Sequence, residues 1–201
     1  MPRIGPARME ARRRQILDAA VACFARKGFH KATMRDVVAE SGLSPGSIYC
    51  HFSSKREIVN AVVAARHHRD RTLVFDAAGK SSLEACLVQL TDDFLGTLSS
   101  PGDRSWRRLA VQLWAEGLND AGLLKVVRGG AEQVQTILAE RIRQAQASGE
   151  GATRVNPAAL ARILMALFQG LALQTAWDAD LELSECIATI RKVLATGLET
   201  F

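Results

Sequence analysis

The stretch GLSPGSIYCHFSSK, Gly42 to Lys55, decides how this 201-residue chain is read. Gly42-Leu43 makes a tight turn. Ser44 then caps a helix and Pro45 takes its first position, where a missing N–H costs nothing. That helix is short and runs to about Phe52. Ile48 and Phe52, four residues apart, share its inward face. Ser44, Ser47, Cys50 and His51 fall on the opposite face, with Tyr49, the single tyrosine of the chain, to one side. Cys50 and His51 stand side by side, as a metal-ligand pair or an activated thiol might. Adjacent helical residues point about 100° apart, however, so these two do not face each other.

Working outward, the turn joins this helix to another short one. Thr33-Met34-Arg35-Asp36 is a capping box that opens a helix ending near Ser41. Val37, Val38 and Leu43 offer the apolar surface on which Ile48 and Phe52 pack. Upstream, Arg8–Lys27 reads as a helix with Ile16, Ala20, Cys23 and Phe24 at i, i+4, i+7 and i+8, closed by Gly28. Downstream, Ser54-Lys55-Arg56-Glu57 is a second capping box, opening a long helix to about Ala77. Two short helices joined by a glycine turn in a three-helix unit are a helix-turn-helix, whose second helix enters the DNA major groove.

Charge points the same way. Residues 1–72 carry 14 Lys and Arg against 6 Asp and Glu, a net +8, whereas residues 73–201 carry 12 against 15, a net −3. A basic N-terminal third on a mildly acidic body suits a module that meets a polyanion. The run Arg12, Arg13, Arg14 reads equally as contacts to DNA backbone or minor groove and as a solvated helix face. The N-terminus lacks the apolar core of a secretory signal, and no run approaches eighteen apolar residues. The reading is a cytoplasmic protein with no membrane partner. The cysteines, at 23, 50, 86 and 186, form no CxxC pair and read as reduced thiols.

With these residues in view, RRQILDAAVACFARKGFHKATMRDVVAESGLSPGSIYCHFSSKREIVNAVV, Arg13 to Val63, resembles the DNA-binding domain of the TetR/AcrR family of bacterial transcription regulators. The features in order are ILDAA, F-x-x-K-G-F, the threonine cap, GLSPGSIY and HF-x-x-K. The resemblance implies that Thr33, Tyr49, His51 and Lys55 hold phosphates. It places Arg35, Ser44, Pro45, Gly46, Ser47 and Cys50 at or near the groove. Cys50 departs from the larger polar or aromatic residue common at its position.

The remainder reads as longer amphipathic helices, giving an all-α chain of about nine. The division is a helix-turn-helix domain, 1–54, and a helical ligand-binding and dimerisation domain, 55–201, linked by helix 55–77. Ser81 and Glu84 form a capping box before the stripe Leu83, Leu87, Leu90, Phe94, Leu98. SSPGD, 99–103, breaks the chain. Trp106, Leu109, Ala110, Leu113 and Trp114 form the next stripe. Asn119 or Asp120 opens a helix to about Ala147, with a kink or local break expected at Gly129-Gly130. Asn156-Pro157 caps a helix that is apolar around much of its circumference, and a last helix spans about Ser184–Leu198.

VQLWAEGLND and LFQGLALQ are similar to C-terminal regions of the same family, whose last two helices build a dimer bundle. The expected dimer residues are Leu164, Leu167, Gly170, Leu171, Ile187, Ile190 and Leu194. Expected pocket residues are Phe94, Trp106, Leu113, Trp114, Met165, Phe168 and Trp177, with Gln112, Gln169 and Gln174 to orient a ligand; aromatic residues at such spacing also serve simply as core. The pocket should be mainly apolar. Together these features predict a ligand-responsive repressor, a homodimer on a near-palindromic double-stranded operator, released by a small, mainly apolar effector. No cofactor is expected. No GxSxG, HExxH, P-loop or dinucleotide-binding pattern appears, so an enzyme is disfavoured. A redox regulator acting through a thiol such as Cys50 is the alternative.

Overall fold

The computed structural model describes residues 5–99, 101–150, 155–178 and 180–200. Nine helices and no strand occur among them: α1 (Pro6–Lys27), α2 (Met34–Ser41), α3 (Pro45–Tyr49), α4 (Lys55–Ala78), α5 (Leu83–Ser99), α6 (Pro101–Gly117), α7 (Ala121–Ser148), α8 (Pro157–Trp177) and α9 (Leu183–Thr200).

Local chemistry fixes most helix starts. Thr33 Oγ1 accepts from the Asp36 N–H, and the Asp36 carboxylate accepts from the Thr33 N–H at 2.8 Å, closing the capping box of α2. Gly42 turns the chain at φ 65°, in the left-handed region that glycine enters without steric cost. Ser44 Oγ accepts from the Ser47 N–H, Asp120 caps α7 and Asn156 caps α8.

Some starts and stops differ from the sequence reading. α3 ends at Tyr49, yet the Phe52 N–H still reaches the Ile48 carbonyl at 2.9 Å, so both anchors stay inward. Glu57 closes its box on the N–H and hydroxyl of Ser53, one residue earlier than Ser54. Ser82, not Ser81, accepts from the Ala85 N–H at the start of α5. SSPGD is no more than a break between consecutive helices, because Pro101 serves as the first residue of α6.

Three apolar clusters form the interior. The first joins Ile16, Ala20, Phe24, Val37, Ile48 and Phe52 of the N-terminal helices to Ile58, Val59, Val62 and Val63 of α4. It continues into Leu109 and Leu113 of α6 and Leu123 of α7, so the helix-turn-helix core does not stop at residue 54. The second joins Val74 and Ala77 of α4 to α5, α7 and α8 through Leu87, Leu138, Ile142 and Leu164. The third brings Leu98, Leu171 and Ile190 together. Helix α4 therefore runs through two cores.

α8 meets the length and apolarity of a membrane crossing, although Arg162, Gln169 and Gln174 interrupt it. Its inner face packs on α6 and α7. The apolarity is spread over two faces, which an unbroken-run criterion passes over.

Gly129 and Gly130 do not break α7, which is continuous from Ala121 to Ser148. The reason for the pair lies at Gly130 alone. A Cβ there would sit 2.0 Å from Cγ of the His67 ring, so glycine is what lets α4 and α7 approach. A Cβ on Gly129 meets nothing within 4 Å. Gly129→Ala should therefore stabilise by about 0.5–1 kcal/mol through helix propensity. Gly130→Ala should destabilise by about 1–3 kcal/mol through overpacking. Chemical denaturation of the two variants checks this; equal effects would mean that the α4–α7 contact yields freely.

Candidate functional site

The α3 surface is open. Ser44, Pro45, Gly46 and Cys50 are exposed, Ser47 and His51 are half-buried, and Tyr49 is 55% exposed. A Cβ at Gly46 would meet nothing, so the first turn keeps a low profile from sequence rather than crowding. Arg8, Arg12, Arg13, Arg14, Lys31 and Arg35 have no carboxylate partner among the described residues, whereas Lys27 is held by Asp36 at 2.6 Å and Arg26 by Glu40. Arg13 lies over the Phe52 ring, 5.5 Å from its centroid, and so is positioned by the helix-turn-helix itself. The Lys27 ammonium and the Thr33 N–H and hydroxyl hold the Asp36 carboxyl down at about 2. The Thr33 hydroxyl is thus engaged locally, at 2.8 Å from Asp36.

Lys55 is engaged within the chain. Its Nζ donates to the carbonyls of Phe29, His30 and Ala32 at 2.7, 3.4 and 3.1 Å and lies over the Phe29 ring. An ammonium has three donors. All three point at the loop between α1 and α2. The same loop is tied to α6: the Phe29 N–H donates to Gln112 Oε1 at 2.8 Å, and His30 pairs with Glu116. Arg56 grips Asp120, the N-cap of α7, with two bonds of 2.9 and 3.2 Å. These polar contacts add to the apolar core that the N-terminal unit shares with the body.

A cavity of about 130 Å³ lies within the body, walled by α4, α5, α6, α7 and α8. Of the expected pocket residues, Phe94, Trp106, Trp114, Met165, Phe168 and Gln169 line it, and the Phe94 and Phe168 rings stack with centroids 5.2 Å apart. Four do not. Leu113 is buried in the first core, one helical position round from Trp114. Gln112 faces the α1–α2 loop. Gln174 is exposed on α8, and Trp177 is 69% exposed at the end of that helix.

The cavity is also less apolar than expected. Arg66, His67 and Asp70 from α4 and Asp103 and Arg107 from α6 form a charged end. Arg66 pairs with Asp70 at 2.9 Å, out of line for a hydrogen bond, and with Asp103 at 3.0 Å. Arg69 adds a contact of 3.2 Å to Asp103. Burial raises the pKa of Asp70 and lowers that of His67. The sequence signal was available: Asp103 and Arg107 share a helical stripe with Ala110 and Trp114, two charged residues on an otherwise apolar face.

On α8, Leu164 and Leu171 are buried within the chain, as is Ile190 of α9, and Ile187 packs against that cluster. These expected dimer residues are intrachain core, because they lie on the faces turned toward α7 and α5. The Leu194 side chain lies outside the described residues. The open stripe of α8 is instead Ile163, Ala166, Leu167, Gly170, Gln174 and Trp177, spaced i, i+3, i+4, i+7, i+11 and i+14, with all but the half-buried Gly170 exposed. Among the thiols, Cys23 and Cys86 are buried, which raises both pKa values, and Cys50 is exposed. Among the described residues no group of His, Cys, Asp and Glu is arranged to hold a metal.

Removing the Lys55 ammonium while keeping its stem, as in Lys55→Met, should destabilise the full chain by about 2 kcal/mol, the scale of charge-assisted hydrogen bonds. Chemical denaturation measures it. A loss below about 0.5 kcal/mol would show that Nζ is not engaged with the loop and is free for another partner.

Comparison with known proteins agrees with this architecture. Residues 16–62 match the family model of bacterial regulatory proteins, tetR family, and residues 84–199 match that of the BetI-type transcriptional repressor C-terminal region. The chain is 28% identical over 163 residues to the HTH-type transcriptional regulator UidR of Escherichia coli K12, covering 79% of each. It is 31% identical over 147 residues to the HTH-type transcriptional repressor Rv1474c of Mycobacterium tuberculosis, covering 72% of this chain and 71% of that one. Among solved structures, Salmonella enterica GusR superposes with a TM-score of 0.78 at 27% identity over the full length of both chains. An N-terminal helix-turn-helix on a helical body, matched over both parts, makes this chain a transcriptional regulator of the TetR family.

Proposed function

We propose that the chain is a repressor that binds a near-palindromic operator as a homodimer through α3 and is released by a small molecule held in the cavity. The observation that carries this reading is that the cavity and the DNA-facing unit share their walls. Trp106 and Val127 line the cavity and also pack on the first core. α4 supplies Arg66, His67 and Asp70 to the cavity, while Ile58 to Val63 of the same helix hold the helix-turn-helix. α6 supplies Trp106 and Trp114 to the cavity, and Gln112 and Glu116 to the α1–α2 loop. A ligand that fits one spacing of α4, α6 and α7 better than another therefore biases where α3 is held. Its leverage is the difference in its affinity for the two arrangements, not its affinity alone.

In this reading Tyr49 and His51 reach phosphates, Arg35, Ser44, Pro45, Gly46 and Ser47 stand at the groove, and Cys50 sits at the C-terminal end of α3. Thr33 contributes through its helix start and Lys55 by bracing the loop. The exposed stripe of α8, with Val193 of α9, which is 61% exposed, supplies a self-complementary apolar face for a second copy. Two-fold symmetry of the protein then requires two-fold symmetry in the operator. The printed description of the mycobacterial relative as a repressor supports occlusion of transcription as the output.

Selection of random duplexes with the purified protein tests the reading. The expected result is a near-palindrome with two half-sites; a single unrepeated motif would remove the dimeric operator. Leu167→Glu should give monomers in sedimentation and weaken binding to the selected DNA by more than about tenfold, since it places a charge in an apolar interface. An unchanged dimer would move the interface off α8. In a third comparison, Ser47→Ala should change the selected bases at a few positions more than the overall affinity. Identical motifs from the two proteins would take Ser47 out of the groove.

A further inference from the structure

The charged end of the cavity does not balance. Its two carboxylates are already engaged: Asp70 by Arg66, and Asp103 by both Arg66 and Arg69. Arg107 has no carboxylate partner among the described residues. It is only 7% exposed, its Nη1 donates to the Thr97 carbonyl over a long 3.4 Å, and its Nε is buried without a hydrogen-bond partner. A guanidinium keeps its proton at any physiological pH, so it cannot escape burial by becoming neutral. Burial nonetheless pulls its pKa below the usual value, opposed by the Asp103 charge. A buried, unpaired cation of this kind is costly unless an anion joins it.

We infer that the cavity takes a compact monoanion with an apolar body, an aromatic or short-chain carboxylate, whose carboxylate meets the guanidinium of Arg107, one of the residues that line it. This rests on the reading of the cavity as an effector site and names the chemistry of the effector. A guanidinium offers parallel N–H donors, the fork that a carboxylate accepts with both oxygens, and of the Arg107 donors only Nη1 is given a partner, at a long 3.4 Å. The rest of the lining fits the rest of such a ligand: the stacked Phe94 and Phe168, Trp114 and Met165 supply apolar and aromatic contact. Size limits the body. The cavity of about 130 Å³ is close to an engineered apolar cavity of about 150 Å³ that admits benzene, so one ring or a short chain fits. A cation would meet three guanidiniums against two carboxylates, and a dianion would exceed the single unmatched positive charge.

Calorimetric titration of the full-length protein with benzoate, phenylacetate and hexanoate, each against its neutral amide, tests the inference. At least one acid should bind about tenfold or more tighter than its amide, as a charge-assisted bidentate pair requires. Arg107→Gln should abolish that preference and leave amide affinity within about threefold. Arg107→Lys, which keeps the charge and loses the fork, should retain part of it and guards against a misfolded glutamine variant. Equal affinity of acid and amide, expected if water alone solvates Nε, overturns the inference, as does failure of every acid to bind at about 10 mM. The same ligands are then added to the protein on its selected DNA. An acid that binds through Arg107 yet leaves DNA affinity unchanged removes the effector reading and leaves the anion site standing. Release by acid and amide alike leaves the effector reading and removes the anion site.

Discussion

The packing of α4 through two separate cores is the constraint on which the rest of this structure depends. Its first half, Ile58 to Val63, is the floor of the helix-turn-helix; its last turns, Val74 and Ala77, belong to the interior of the body. A continuous helix is stiff, so what displaces one end is felt at the other. Between the two cores the helix meets α7 at the His67–Gly130 contact, where a missing side chain sets how near the two backbones come. The cavity opens at that level, beside His67 and Gly130. Interior packing is dense and tolerates discrete rearrangements better than gradual ones. A site at this junction is therefore well placed to select between arrangements of the N-terminal unit.

A second line of force runs through α6. Leu109 and Leu113 enter the N-terminal core, Trp106 and Trp114 line the cavity, and Gln112 and Glu116 grip the α1–α2 loop. Lys55 grips that loop from the other side. The loop that sets α2 against α1 is thus held by polar contacts from two helices that both touch the cavity. Polar clamps of this kind add little net stability in water-exposed positions. Their value is geometric, since they fix the angle at which the recognition element stands on the body.

The charged end of the cavity sets a different requirement. Buried ions are tolerated when they are mutually neutralised, and Arg66, bridging two carboxylates, does most of that. The imbalance at Arg107 is local, small in number of charges and placed on a wall that is otherwise aromatic. That combination belongs to recognition more than to folding, because a purely structural core would be served as well by an apolar side chain of similar volume.

Much of the fold was legible in the sequence. Caps at Thr33, Ser44, Asp120 and Asn156, the glycine turn at Gly42 and the apolar periodicities are local signals, and each acts over a few residues whatever the rest of the chain does. They determined the helices, the helix-turn-helix and the regulator class. Tertiary structure alone decided which face of each helix became interior. Leu113 and Trp114 are neighbours in sequence, yet one is core and the other cavity wall. Leu164 and Leu167 share one helix, yet one is buried and the other open. Lys55 looked free for a phosphate until the loop carbonyls of Phe29 and Ala32 folded against it. Gly130 looked like a break in its helix until His67 arrived from α4. The physical reason is the same each time: periodicity states that a helix has an apolar face, whereas the partner that covers it comes from residues tens of positions away.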